Sequence, residues 1–275
     1  MNLLFLIPAL VAYAASSAGF IFDRATGRYQ FGGYATAAMA IGAVLQAFNL
    51  AARGIQAGNI PVGDLAQSVA FLSWITALAA IVLMTRFRMI VIGAFVGPAV
   101  LFATLMSWLA MGEAHIVLPQ SLQSVWLPIH VTLALAGYAM FVLAAAVSFV
   151  YLARESKLKS KRSIGPPDVD APSLEKLDRI NYRLLGWGFL MLSLAIVSGA
   201  IWADAQWGRF WSWEPKESWS LVIWILYAGL LESRLTVGWR GRRAATLTIV
   251  VFTVLISSFI GVSFVFPGKH GGNFG

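Results

Sequence analysis

Eight apolar segments dominate this sequence, and each approaches the roughly 20 residues that an α-helix needs to cross a lipid bilayer. They occupy residues 1–21, 33–52, 67–85, 88–109, 127–153, 184–203, 219–238 and 244–266. Hydrophobic residues make up 59% of the chain and charged residues only 12%, far below the charged share of a typical soluble domain. The sequence therefore predicts an all-α integral membrane protein, with residues 1–275 forming a single polytopic bundle of about eight transmembrane helices.

Basic residues orient this bundle, because loops rich in Lys and Arg stay on the cytoplasmic side. The loops after the first, third, fifth and seventh segments, with their flanks, contain 16 of the 20 basic residues. Both termini are therefore predicted on the outer, periplasmic side of a bacterial inner membrane, with the first segment retained as a span. Topology then explains the formal charge of +8, so membrane lipid is the expected partner and nucleic acid is not.

The longest hydrophilic segment is the predicted cytoplasmic loop at residues 154–183. Its centre, GPPDVDAPS, should be irregular, because proline lacks an amide donor and disfavours helix. Apolar residues recur at helical spacing over residues 174–184. They predict a short amphipathic helix at the membrane interface, with Ser173 as its N-cap.

The chain contains no cysteine, which excludes disulfides, thiolate nucleophiles and cysteine-ligated iron–sulfur clusters. Its three histidines, His115, His130 and His270, all fall on the predicted outer side. His130 is near the outer end of the fifth segment, and His270 follows the eighth. A single interfacial histidine is more often a packing or surface residue, so none of them defines a site alone.

The same side contains an unusual loop between the sixth and seventh segments, predicted at residues 204–219, with the run WGRFWSWEPKESW. Tryptophan gathers at membrane interfaces in many helical proteins, but simple anchoring does not require charges interleaved with four indoles. Flat indoles suit a flat apolar ligand, imidazole suits a metal, and cations suit anionic substituents. Haem combines these properties, because it is an apolar macrocycle with an axially ligated iron and two propionates.

The sequence thus predicts an outer haem site, with no catalytic residue on this chain. His130 and His270 are the candidate axial ligands of the iron, and either Arg209 or Lys216 is the candidate partner of a propionate. The other candidate cofactor-binding residues are Trp207, Trp211, Trp213, Trp219, Glu214 and Glu217.

The run from Trp207 to Trp219 resembles the WWD signature, W-G-x-x-W-x-W-D-P-K-E-x-W, of haem-handling proteins in cytochrome c assembly. Glu214 stands where that signature usually has aspartate. A second segment, DLAQSVAFLSW at residues 64–74, is similar to N-L-Y-E-S-L-x-F-L-S-W of the CcsA (ResC) branch, with Gln67 in place of glutamate.

The CcsA-like region covers residues 60–275, and within it His130 and His270 match the two outer histidines of the CcsA branch. The resemblance implies cytochrome c biogenesis of the system II type, with b-type haem bound non-covalently and transiently at the outer face. It also implies presentation of that haem to an apocytochrome c with a C-x-x-C-H motif, and a ResB/CcsB-type membrane partner. Whether the chain forms part of an enzyme, a holocytochrome c synthase complex, stays open.

One position departs from the CcsA branch, whose seventh span usually ends Y-L-H-T-R. Residues 230–234 are LLESR here, so Glu232 replaces a histidine that the resemblance places on haem nearer the cytoplasm. Glu232 has an alternative role in an ion pair with Arg234 or Arg240. The departure favours the alternative of a HemX-like membrane protein that regulates tetrapyrrole synthesis. A third option is a structural subunit that binds quinone or no ligand.

Overall fold

The computed structural model of this chain describes residues 3–26, 30–58, 60, 62–110, 124–160 and 172–265. These residues form eight long α-helices and no β-strand, which confirms the predicted all-α bundle. The helices are α1 (Leu3–Thr26), α2 (Gly32–Ala57), α3 (Leu65–Arg86), α4 (Gly93–Ala110), α5 (Trp126–Lys159), α6 (Leu174–Trp207), α7 (Pro215–Leu235) and α8 (Arg242–Val265).

Seven of these helices, all except α7, are long and apolar enough to cross a membrane. Helix α7 has charged residues close to both of its ends, which lowers its hydropathy below that of the others. The multi-pass membrane architecture is therefore confirmed, whereas the placement of both termini on the outer side stays a prediction. The end of the bundle that the sequence predicts to be external is termed the outer end below.

Helices α1 to α4 form one half of the bundle and α5 to α8 form the other. Helix α5 is central, because it packs against α6 and α8 in its own half and against α3 in the other. The α5–α6 pair is especially close: a Cβ atom at Gly137 would lie 3.1 Å from the carbonyl oxygen of Gly188. Small residues at this contact allow the two backbones to approach, as in other membrane helix pairs.

Helices α5 and α6 have 34 residues each, more than the predicted spans. At 1.5 Å per residue each is about 51 Å long, against roughly 30 Å of bilayer hydrocarbon. Ser173 is the N-cap of α6 as predicted, since its Oγ accepts the N–H of Lys176 at 3.2 Å.

Residues 174–184 are helical as predicted, but they do not form a separate helix, because they are the first turns of α6. Leu177, Ile180 and Leu184 are buried in the main hydrophobic core rather than laid on a membrane surface. The same apolar spacing suits either environment, so the sequence pattern could not distinguish them. The GPPDVDAPS segment lies almost wholly outside the described residues.

A buried ion pair fixes the inner end of α7. Arg234 is 8% exposed, and its Nη2 donates to Oδ2 of Asp178 in α6 at 2.8 Å. The other carboxylate oxygen, Oδ1, accepts the N–H of Gly241 at 2.9 Å, in the turn before α8. Glu232 is exposed and makes no ion pair with any residue that the structure describes. The alternative ion pair of Glu232 with Arg234 or Arg240 is therefore wrong, and Arg234 pairs with Asp178 instead.

Candidate functional site

A cavity of about 330 Å³ lies at the outer end of the bundle, where α6 ends and α7 begins. Residues from α3, α5, α6, α7 and α8 line it, together with the turn before α3 and the loop between α6 and α7. Its walls are mainly apolar and aromatic with a few polar groups, as in most small-molecule sites. Five of the predicted site residues line this cavity: His130, Trp211, Lys216, Glu217 and Trp219.

The loop that presents the tryptophans is shorter than predicted. Instead of residues 204–219, it comprises residues 208–214, because α6 continues to Trp207 and α7 begins at Pro215. Gly208 ends α6 in a left-handed conformation (φ 68°), which glycine adopts without steric cost. Proline at the first position of α7 needs no amide donor there, so the motif supplies its own helix start.

His130 lies in the second turn of α5 and is half-buried. Its Nδ1 is 2.7 Å from the carbonyl oxygen of Ala195 in α6. Because a carbonyl oxygen only accepts, Nδ1 carries the proton in this bond, and in the neutral form of the ring the lone pair is then on Nε2. Metal-ligating histidines usually donate their other N–H in this way, which fixes the ring and increases the basicity of the ligating nitrogen.

Two residues of α6 shape the pocket of the imidazole. A Cβ atom at Gly199 would lie 2.6 Å from Nδ1 of His130, so only glycine allows this approach. Trp202 is 1% exposed, and its ring is nearly parallel to the imidazole (14°), with the centroids 6.4 Å apart. Sequence reasoning missed both residues. The one available signal was the i, i+4, i+7 spacing of Ala195, Gly199 and Trp202, which puts them on one face of α6.

The four indoles of the motif divide into two pairs. Trp211 and Trp219 line the cavity. Trp207 does not, and instead packs edge-on against Trp202 with the centroids 5.0 Å apart. Trp213 points away from the cavity and is 70% exposed, with its ring edge-on to Trp211 at 5.8 Å. One pair therefore lines the cavity, and each member of the other pair packs against a tryptophan that lines it, Trp207 against Trp202 and Trp213 against Trp211.

The charged residues of the motif also separate. Lys216 lines the cavity and is half-buried, whereas Arg209 is exposed and lies outside the lining. Burial lowers the pKa of Lys216, and the nearby carboxylate of Glu214 partly offsets that effect. The geometry thus favours Lys216 over Arg209 as the cation that meets a ligand in this cavity.

The two glutamates organise the loop. Glu214 is the N-cap residue of α7. Although Glu217 lines the cavity, its carboxylate accepts the N–H groups of Ser212 at 2.8 Å and of Glu214 at 3.2 Å. A carboxylate near the N-terminus of a helix is also stabilised by the helix dipole.

Comparison with known proteins gives the family. The sequence profile of the family described as cytochrome C assembly protein matches residues 62–270. The chain belongs to this family. The matched range begins at the cavity edge before α3 and includes both His130 and His270.

Individual members of this cytochrome c assembly family are similar along most of their length. The cytochrome c biogenesis protein CcsA of Guillardia theta is 33% identical over 239 residues, covering 80% of this chain and 79% of the relative. The same protein from Prochlorococcus marinus (strain NATL2A) is 33% identical, covering 78% and 77%. The CcsA of Porphyra purpurea is 29% identical, covering 96% and 93%.

Two histidines, His115 and His270, lie outside the described residues. For His270, chain length supplies a limit. Ser258, Phe259 and Val262 of α8 line the cavity, and α8 ends at Val265. The five residue steps from Val265 to His270 span at most about 18 Å, which is the upper limit on the separation of their Cα atoms.

Proposed function

We propose that this chain acts in cytochrome c biogenesis of the system II type. It binds haem in the outer cavity and presents it for covalent attachment to apocytochrome c. The observation that supports this most directly is the hydrogen bond from His130 to the Ala195 carbonyl, within an aromatic-lined cavity. This bond orients an imidazole for ligation of a metal, and both residues lie within the range that matches the cytochrome c assembly family.

The residues around the cavity fit a b-type haem. Nε2 of His130 and an imidazole nitrogen of His270 would hold the iron. Trp211 and Trp219 provide flat apolar walls that exclude water, and Lys216 provides a cation for a propionate. When bound, haem supplies the iron that these imidazoles ligate and the substituents to which cysteine thiols attach. Because this chain has no cysteine, those thiols belong to the C-x-x-C-H motif of the client.

The further components follow from the same proposal. A ResB/CcsB-type membrane protein would complete the assembly machine, and the haem would be held transiently because it must pass to the client. An axial pair of neutral histidines suits that task, since the bound haem is released without breaking a covalent bond. The chain itself binds, orients and protects the haem, and the proposal requires no nucleophile from it.

The glutamate at position 232 does not weaken the outer site. Glu232 is 16 residues from Lys216 along α7, which corresponds to about 24 Å of helix. It is exposed and does not line the cavity. The substitution therefore lies at the inner end of α7, away from the cavity. The HemX-like alternative rests on that substitution and gains no support from the geometry of the outer cavity.

An absorption spectrum of the purified protein, titrated with haem in detergent, tests the proposal. The expected result is saturable binding with the Soret and α/β bands of iron ligated by two imidazoles. If the intact chain binds no haem in either oxidation state, the proposal is overturned and the regulatory or structural alternatives take its place.

Replacing Gly199 with alanine is expected to weaken haem binding by about 10- to 100-fold, the usual effect of losing a partner that orients a metal ligand. The new methyl group would occupy the position of the His130 imidazole, since an ideal Cβ there lies 2.6 Å from Nδ1. Haem titration measures the change. Gly186→Ala is the matched control, because it lies in the same helix and its Cβ would meet nothing within 4 Å.

Replacing Lys216 with methionine is expected to reduce haem affinity about tenfold at neutral pH, because a charge-assisted bond to a propionate is lost. Burial lowers the pKa of Lys216. The ammonium therefore deprotonates at lower pH than an ordinary lysine, and wild-type affinity should fall as pH rises through that lowered value. Lys216→Arg should retain affinity and lose this alkaline decline. Arg209→Met serves as the control, and an equal loss there would contradict the assignment.

A further inference from the structure

Glu217 lines the cavity, and its carboxylate accepts hydrogen bonds from two residues of its own loop, Ser212 and Glu214. Its Oε2 accepts the N–H of Ser212 at 2.8 Å and the N–H of Glu214 at 3.2 Å. Its Oε1 accepts the hydroxyl of Ser212 at 3.2 Å. Three charge-assisted hydrogen bonds therefore converge on one side chain in the first turn of α7.

The two amides that Glu217 binds belong to the residues on either side of Trp213. The backbone of Trp213 is left-handed, with φ 57°. Among the described residues, only Arg88 and Trp213 combine a positive φ with a side chain. Left-handed backbone is unfavourable for a bulky residue and persists where surrounding contacts enforce it. Glu217 supplies such contacts, because it binds the amide before Trp213 and the amide after it.

The enforced backbone decides where the indoles lie. It directs Trp213 outward, edge-on to Trp211, and Trp211 in turn lines the cavity. If residue 213 relaxed to an ordinary backbone conformation, the path of the loop would change on both sides of it. The position of Trp211 depends on the same short segment, residues 208–214.

We propose that Glu217 is a positioning residue of this site: it holds Trp213 in the left-handed conformation and thereby sets the Trp211 wall of the cavity. Glu217 acts on the ligand through the loop and not by contact, which differs from the direct cofactor-binding role that composition suggested. This inference rests on the proposed function, because it takes haem as the ligand that contacts Trp211. The two hydrogen bonds from the N–H groups of Ser212 and Glu214 to Glu217, termed the clamp below, are present in the protein without ligand.

A double-mutant cycle between positions 217 and 213 separates positioning from direct contact. Glu217→Ala alone should reduce haem affinity about tenfold, the effect expected when charge-assisted hydrogen bonds that order a site are removed. Glycine adopts left-handed backbone without a clamp. In the W213G background, Glu217→Ala should therefore reduce affinity by no more than about twofold. Equal losses in the two backgrounds would overturn the proposal, because a side chain that touches haem is needed in both.

Hydrogen exchange in the haem-free protein gives a second readout. The amides of Ser212 and Glu214 should be protected in the wild type and should exchange about tenfold faster in E217A, since each loses its acceptor. Equal exchange in both proteins would overturn the clamp. If E217A does not fold, E217Q, which retains one acceptor oxygen, replaces it in both experiments with a smaller effect in the same direction. Absence of haem binding in the wild type would refute the proposed function alone, because exchange would still test the clamp.

Discussion

Replacement of His130 by alanine is expected to abolish two-imidazole ligation of haem and to weaken haem binding by about 100-fold or more, exceeding the loss seen for partners of metal ligands. The reason is specific to this ring. The carbonyl of Ala195 fixes its tautomer at 2.7 Å, and Trp202 lies nearly parallel to it. No other histidine lies among the described residues, so no neighbouring imidazole there can take its place. The measurement is the absorption spectrum during haem titration.

Two controls make the His130 prediction specific. Added imidazole should restore the six-coordinate spectrum of H130A in part, because the cavity vacated by the side chain can admit the free ligand. His270→Ala should give the same spectral change, whereas His115→Ala should bind haem as the wild type does. A two-imidazole spectrum that persists in H130A and disappears in H115A would show that the ligand was assigned wrongly.

The helices of this protein were predictable because each is encoded locally. Apolar segments of about 20 residues indicated eight helices in order, and Ser173 indicated the start of a helix that continues as α6. Helix ends were less predictable. Helices α5 and α6 continue beyond the apolar segments. In the first turns of α6, Leu177 and Ile180 have the spacing expected of a helix on a membrane surface, yet both are buried against other helices. Sequence spacing reports a helix face but not what covers it.

The site was predictable in composition and only partly in arrangement. The predicted topology placed His130 on the same side of the membrane as Trp211 and Lys216 of the tryptophan-rich motif, and all three line one cavity. The contact of His130 with Gly199 joins residues 69 positions apart in different helices, so no local pattern reveals it. Glu217 shows the converse difficulty. A carboxylate beside indoles in the sequence suggests a residue that contacts a ligand. In the structure, backbone N–H groups of its own loop donate hydrogen bonds to this carboxylate.

Replacing Arg234 with methionine is expected to destabilise the protein by roughly 3–5 kcal/mol, the usual cost of removing one partner from a buried ion pair. The side chains of Arg234 and Asp178 are only 5% and 18% exposed, so water cannot replace the lost partner well. Asp178 also binds the amide of Gly241, and thus joins α6 to the turn between α7 and α8. Thermal or denaturant unfolding of the purified protein in detergent measures the loss.

The double variant D178N/R234M should lose less stability than R234M alone, because it leaves no uncompensated charge in the core. Arg240→Met is the matched control, since Arg240 is exposed in the same turn and should change stability by less than about 0.5 kcal/mol. The R234M fraction that stays folded should keep the wild-type haem spectrum, because the ion pair and the cavity lie at opposite ends of α7. Equal stability of R234M and R240M would show that the Asp178–Arg234 pair does not hold the inner end of the bundle together.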